Sequence, residues 1–270
     1  MSSDSQYDTI LVDDRDDGVT VVTLNRPDRL NAFDTAMRAD FRRLWARVRD
    51  DVDVRAVVLR AAGERAFSTG LDVTERTTDN DSPWVDVTAP FAETEDPGHD
   101  LSPKRNQVWK PVVAAVRGMC AGGAFYWIAE CDIVICSPDA TFFDPHVTYG
   151  MVAALEPIAL SYRMHMSDVL RMSLLGLHER LSAETARSSG LVSEVVAADE
   201  LDARALQLAS AIASQPAAAV EGTVKAIWQS MDAARNQALS TALLYTQVGN
   251  PVGTATVDRA AAKPSQWWLR

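Results

Sequence analysis

The stretch RGMCAGGAFYWIAECD, residues Arg117 to Asp132, decides how the rest of the chain is read. It follows an apolar run, Pro111 to Val116 (PVVAAV), short and β-branched enough for a buried strand, and it opens into a segment of helical composition from Ala124 to Ala129. The Gly122-Gly123 pair therefore falls between strand and helix. Glycines there let the backbone turn sharply and leave N–H groups bare at a helix start, where partial positive charge favours a developing anion. A tight packing turn would use the same pair, so the motif needs support from elsewhere.

At 270 residues and 47% hydrophobic content, the chain can bury a sizeable core in one large domain, or in one domain with an appendage. Lys and Arg number 26 against 37 Asp and Glu, a net charge of −11, which argues against nucleic acid as a partner. The opening MSSDSQYDT has no basic region followed by an apolar core, and the Met119 to Ala129 run is too short to span a bilayer. A cytoplasmic protein without membrane contact is expected. Cys120, Cys131 and Cys136 are odd in number, lie in apolar surroundings and form no CxxC pair, which fits reduced, buried thiols rather than a disulfide frame or a metal site.

Taken in order, Thr9 to Asp13 and Val19 to Leu24 read as a hairpin around the acidic turn RDDG, with Pro27 ending the second strand. Asp34 is placed to cap a helix whose apolar positions Met37, Phe41, Leu44 and Val48 recur at helical spacing. Val54 to Arg60 is the next strand. Strand, helix and strand in this order predict a parallel crossover and an α/β architecture.

From Glu75 to Asp100 the composition turns acidic and loses periodicity, as in a surface segment that covers a site or is partly disordered. Its Trp84, Val85 and Phe91 either touch an apolar ligand or anchor the loop to the core. Further on, Ile133 to Cys136 reads as a strand, Ala140 to Phe143 leads to Pro145 in the first turn of a short helix, and helices follow over Pro157 to Met164 and Asp168 to Leu175. His146 at that helix start is expected to stay neutral and able to accept a proton. The last third carries apolar stripes at Leu201, Ala205, Leu208 and Ile212, then at Val220, Val224, Ile227 and Met231, with Leu239 and Leu243 beginning a third. Stripes that outnumber local partners predict a subunit interface.

Two glycine-bearing turns, AFSTGLDV (66–73) and GMCAGGAF (118–125), thus expose backbone N–H groups at the carboxyl ends of strands. Two such donors can grip one oxygen that becomes anionic. With LNRPDRLNAF (24–33), KPVVAAVRGMCAGGAFYWIAECDIVI (110–135), ATFFDPHVTYGM (140–151) and the segment ending SGLVSEVV (189–196), the chain resembles the crotonase superfamily, the enoyl-CoA hydratases and isomerases, over nearly its whole length. The resemblance implies an α/β core of ββα units wound as a spiral over residues 1–198. It also implies a C-terminal helical region over 199–270 that builds a homotrimer or dimer of trimers. CoA would enter as part of an acyl-CoA substrate, with no further cofactor.

By position in the family pattern, the oxyanion donors would be the amides of Leu71 and Gly123. Arg29, Leu30 and Ala32, with Ser68, Gly70, Asp72 and Val73, would line the CoA groove, Asp72 serving mainly to hold its loop. The departures are informative. Where the family's hydratases place two catalytic carboxylates, this chain has Tyr126 and His146, and the glycine-rich turn that usually follows reads GMVAALEP, with Glu156 in an apolar setting. A buried carboxyl there would exchange protons near neutrality if it faces the pocket; ahead of Pro157 it could equally be a helix cap or a surface acid. The resemblance therefore implies a hydratase or isomerase with His146 and Glu156 replacing the usual acids and Tyr126 orienting substrate or water. A thioester or carbon–carbon bond hydrolase and a non-catalytic acyl-CoA-binding protein are the alternatives.

Overall fold

The structure, a computed structural model, describes residues 7–75, 96–234 and individual positions between 237 and 255. The N-terminal hairpin is present, with β1 (Ile10–Asp14) antiparallel to β2 (Val19–Leu24). From β2 onward the large sheet is parallel: β2 pairs with β3 (Ala56–Ala61), β3 with β5 (Val112–Val116), β5 with β7 (Ile133–Cys136) and β7 with β10 (Glu194–Val195). A smaller sheet sets β4 (Ala66–Ser68), β6 (Met119–Ala121) and β8 (Thr141–Phe143) in parallel and adds β9 (Leu181–Ser182) antiparallel to β8. The chain alternates between them, with β3 followed by β4, β5 by β6, and β7 by β8. Each unit thus contributes one strand to each sheet. Both faces of the large sheet are covered, so all six residues of β2 are buried and its sequence is nearly continuously apolar.

Strand β6 is absent from the sequence reading, which ran β5 directly into the helix. Only three residues long, β6 begins just after Gly118, whose φ of +64 turns the chain from one sheet into the other. The glycine pair is therefore delivered by the smaller sheet.

Helix α1 (Thr35–Asp50) begins where expected, the Asp34 side chain accepting the Met37 N–H at 2.8 Å. Its buried side carries Met37, Phe41, Leu44, Trp45 and Val48, and Phe41 meets Trp45 and Trp127 with ring centroids 5.5 and 5.0 Å apart. Against α1 lies α2 (Gly98–Leu101), whose buried Asp100 takes Arg38 and Arg42 at 2.8 Å each. The end of the acidic segment is thus a fixed anchor rather than open loop. Trp84, Val85 and Phe91 lie outside the described residues.

After the glycine pair come α3 (Phe125–Ile128), α4 (Leu155–Ser161), α5 (Met166–Leu175) and α6 (Ala183–Ser188). The outer side of α4 and α5 exposes Leu155, Ile158, Tyr162, Met166, Leu170 and Leu174. Helix α7 (Leu201–Ala213), counted with the helical region in the sequence, packs on the large sheet: Leu201, Ala205, Ala209 and Ala213 bury against Val19, Val21, Ala56, Val58, Val113 and Ala115. Leu208 and Ile212 sit half-buried at the margin of this second core.

Helix α8 (Ala217–Gln229) has no buried residue, and its stripe residue Ile227 is 56% exposed. Trp228 Nε1 ties it to the core, donating to Asp132 Oδ1 at 2.7 Å while Lys104 holds Asp132 Oδ2 at 2.8 Å. Leu239 and Leu243 lie outside the described residues. Among the described residues no helix is long and apolar enough to cross a membrane.

Candidate active site

The two glycine turns meet. A parallel bridge between Phe33 and Leu71 sends the Phe33 N–H to the Gly70 carbonyl and the Asp72 N–H to the Phe33 carbonyl, both at 2.8 Å. Alternation along the strand points the Leu71 N–H the other way, where it meets no acceptor among the described residues. Gly123 lies in the first turn of a 3-10 helix, Gly122–Ala124, so its N–H has no acceptor within that helix. A Cβ added to Gly70 would stand 2.7 Å from the Gly123 nitrogen, and one added to Gly123 would stand 2.5 Å from the Phe33 ring. Only bare backbone fits where the two segments touch.

A web of polar contacts holds the first of these turns. Arg26 Nη2 reaches Asp34 at 2.8 Å and Asp72 at 3.0 Å, and Nη1 donates to the Ala32 carbonyl at 2.5 Å. Leu30 and Asn31 are both left-handed, with φ of 53 and 52, and the buried Asn31 side chain secures them through the Arg26 N–H and the Ala62 and Ala66 carbonyls. Asp72 accepts from the Thr74 N–H and hydroxyl, the loop-holding use expected of it. The fully buried Ser68 hydroxyl takes the Gly70 N–H at 3.2 Å, so it serves the turn. Ala32 is buried, Leu30 half-buried, and Arg29 and Val73 exposed. Neither Arg26 nor Asn31 was singled out in the sequence; each acts through partners remote along the chain.

Tyr126, His146 and Glu156 come together from α3, the 3-10 turn His146–Tyr149 and α4. The His146 ring stands beside the glycine pair, its Cε1 3.8 Å from where a Cβ of Gly122 would lie. His146 Nε2 is 3.9 Å from Glu156 Oε1, and the Tyr126 hydroxyl faces the same carboxylate. Glu156 is only 5% exposed, so it is neither a surface acid nor, by its burial, a solvent-facing cap. Behind Tyr126, Gly98 leaves room for Arg105, whose guanidinium would lie 2.7 Å from a Cβ at that glycine. Arg105 is paired with Asp96 and approaches Glu130 at 3.7 Å.

The electrostatics correct one expectation. His146 was expected to be neutral at a helix start, but its hydrogen bond to Asp144, Nδ1 to Oδ1 at 2.5 Å, raises the imidazole above its ordinary range despite burial, and Glu156 adds to this. A four-residue 3-10 turn offers little opposing dipole. Burial raises the Glu156 carboxyl, with His146 opposing and Asp144 adding. Burial, then the Glu156 and Asp96 charges, drive the Tyr126 phenol far upward, so it remains a hydrogen-bond donor. Imidazole and carboxyl are thus both raised, and with Nε2 and Oε1 3.9 Å apart they are placed to exchange a proton. Among the described residues no group of three or more His, Cys, Asp or Glu is arranged to hold a metal.

Residues 14–248 match the family described as Enoyl-CoA hydratase/isomerase. The chain is 34% identical over 242 residues to (E)-benzylidenesuccinyl-CoA hydratase of Thauera aromatica, covering 89% of each protein. It is 32% identical over 227 residues to 1,2-epoxyphenylacetyl-CoA isomerase of Escherichia coli K12, covering 84% of this chain and 83% of that one. A solved enoyl-CoA hydratase/isomerase from Mycobacterium paratuberculosis superposes with a TM-score of 0.79 at 34% identity, over 95% of this chain and 93% of the other. The alternating two-sheet core is thus the crotonase fold, and the chain belongs to the enoyl-CoA hydratase/isomerase family. Its relatives are named as hydratases and isomerases, so it is an enzyme of lyase or isomerase type.

Proposed function

We propose that this enzyme hydrates, or shifts the double bond of, an acyl-CoA thioester whose carbonyl oxygen lies between the Leu71 and Gly123 amides. The observation that supports the reading is the contact of Gly70 with Gly123, next to a Gly122 whose Cβ position lies 3.8 Å from the His146 ring that faces Glu156. As the thioester becomes an enolate, its oxygen gains charge, and each fixed donor is worth about 3 kcal/mol in the transition state.

In hydration the Glu156 carboxylate takes a proton from water as the water oxygen bonds to the β-carbon. The double-bond electrons move to the thioester oxygen, and the enolate collapses by taking a proton at the α-carbon from His146 Nε2. Return of the proton from Glu156 to His146 closes the cycle. Isomerisation uses the same pair, one group removing a proton from carbon and the other returning it elsewhere. Tyr126, protonated, orients substrate or water. Arg29, Leu30, Ala32, Ser68, Gly70, Asp72 and Val73 bound the groove for the CoA portion, largely through main chain, and CoA enters only as part of the substrate. The two relatives above are named for ring-bearing acyl groups, which puts ring-bearing esters first among substrates. In the same reading the enzyme works in the cytoplasm as a homotrimer or dimer of trimers.

A spectrophotometric assay with short, long and ring-bearing enoyl-CoA esters tests this reading. Loss of the conjugated thioester without release of free CoA is expected for at least one. Release of free CoA would instead mark a hydrolase, and binding without any turnover a non-catalytic carrier.

A further inference from the structure

Asp144, between β8 and Pro145, is wholly buried. Its Oδ1 accepts the His146 backbone N–H at 3.0 Å and lies 2.5 Å from His146 Nδ1, while Oδ2 has no hydrogen-bond partner among the described residues. A carboxylate so enclosed requires a compensating positive group, and the imidazole is the one it touches. Holding Nδ1 from one side directs Nε2 to the other, toward Glu156 at 3.9 Å. Among the described residues the remaining neighbours do not compete: Tyr126 faces Glu156, the 176–178 turn meets the same 3-10 turn through Val147 and Thr148, and the charged Asp168 and Arg171 of α5 pair with His165 and Glu179.

We propose that Asp144 is a positioning residue, which fixes the His146 ring through Nδ1 so that Nε2 carries the proton facing Glu156 and the substrate. The proposal rests on the reading of His146 and Glu156 as the proton-transfer pair. It assigns the base to Glu156 and the acid to His146. The competing account is purely local: an acid two residues before His146 closes the turn by accepting its N–H, a task asparagine performs equally well.

The test is Asp144→Asn, which keeps an oxygen for both hydrogen bonds and removes the charge. With no substrate present, NMR follows the titration of His146, assigned by the signal lost in His146→Gln. The midpoint is expected to fall by about one unit or more in Asp144→Asn. On any ester the wild type turns over, kcat is expected to drop roughly 10- to 100-fold, part of the roughly 100- to 10,000-fold that a general acid contributes. KM should hold, and the alkaline limb of the pH profile should move to lower pH. An Asn variant with the wild-type His146 titration, or with unchanged kcat and pH profile, overturns the proposal and leaves the proposed function standing. If no enoyl ester is turned over, the proposed function fails, whereas the NMR titration still reads the Asp144–His146 coupling. Should Asp144→Asn not fold, the wild-type titration decides: a His146 midpoint at or below the ordinary value of about 6.5 overturns the proposal.

Discussion

Gly70 and Gly123 touch backbone to backbone: a Cβ on Gly70 would lie 2.7 Å from the Gly123 nitrogen, and one on Gly123 would lie 3.4 Å from the Gly70 Cα. Gly70 also has a φ of +84, which side chains rarely adopt. Gly70→Ala and Gly123→Val should therefore part the two amides, lowering turnover by 100-fold or more, the scale of losing one fixed donor. In the wild type, the infrared carbonyl stretch of a bound acyl-CoA should move to lower frequency than in water. An unshifted band, or wild-type rates in Gly123→Val, would remove the two-donor reading.

The pH profile should be bell-shaped, with limbs belonging to the His146–Glu156 pair rather than to either group alone. Glu156 acts ionised and its carboxyl is raised, so the acid limb should lie above the ordinary carboxylate value of about 4.3. His146 acts protonated and is raised too, so the rate should fall only as pH passes above about 6.5. Glu156→Gln should abolish the acid limb together with most of the activity. An acid limb that persists in that variant would assign the base elsewhere.

Arg26 joins the helix cap Asp34, the Ala32 carbonyl and Asp72 in one planar fork. Lysine can make only part of this set. Arg26→Lys should cost about 1–3 kcal/mol of stability, as charged hydrogen bonds do, and should raise KM for the CoA ester far more than it lowers kcat. Thermal unfolding with steady-state kinetics would show this. A variant with wild-type KM would place the CoA groove away from this loop.

Among the described residues, two apolar surfaces are exposed, the outer side of α4 and α5 and the α8 stripe at Ile227. Two unlike surfaces can pair head to tail, and such pairing closes into a ring when the rotation between neighbours divides the full turn evenly. Light scattering should give a mass of three or six chains. Leu170→Asp or Ile227→Glu should shift it toward one. A wild-type protein that is monomeric in dilute buffer would count against the trimer.

Much of the fold was legible because it rests on local periodicity. Asp34 and the spacing of Met37, Phe41, Leu44 and Val48 announced α1, and β-branched runs announced β2, β3, β5 and β7. Strand β6 was hidden because three residues carry no period, and its pairing with β4 and β8 is entirely nonlocal. The appearance of α7 as part of an appendage had a similar cause: amphipathicity reveals a buried side but not what buries it. At the site, the family pattern brought out Tyr126, His146 and Glu156, and the structure brings them together. Asp144 escaped notice because an acid before proline looks like any turn residue, and its meaning lies in the 2.5 Å to Nδ1. Arg26 escaped because Asp72 is 46 residues away.

The strands of the large sheet stand in the order in which they are synthesised, β1, β2, β3, β5, β7 and β10. A chain emerging from the ribosome can thus enlarge the sheet from one margin, each newcomer pairing with the strand laid down before it, with no need to insert between two already joined. The hazard of such vectorial growth is an open, adhesive border at every stage. It ends at β10, which is two residues long and offers little to a foreign strand, while α7 follows at once to seal the back of the finished sheet.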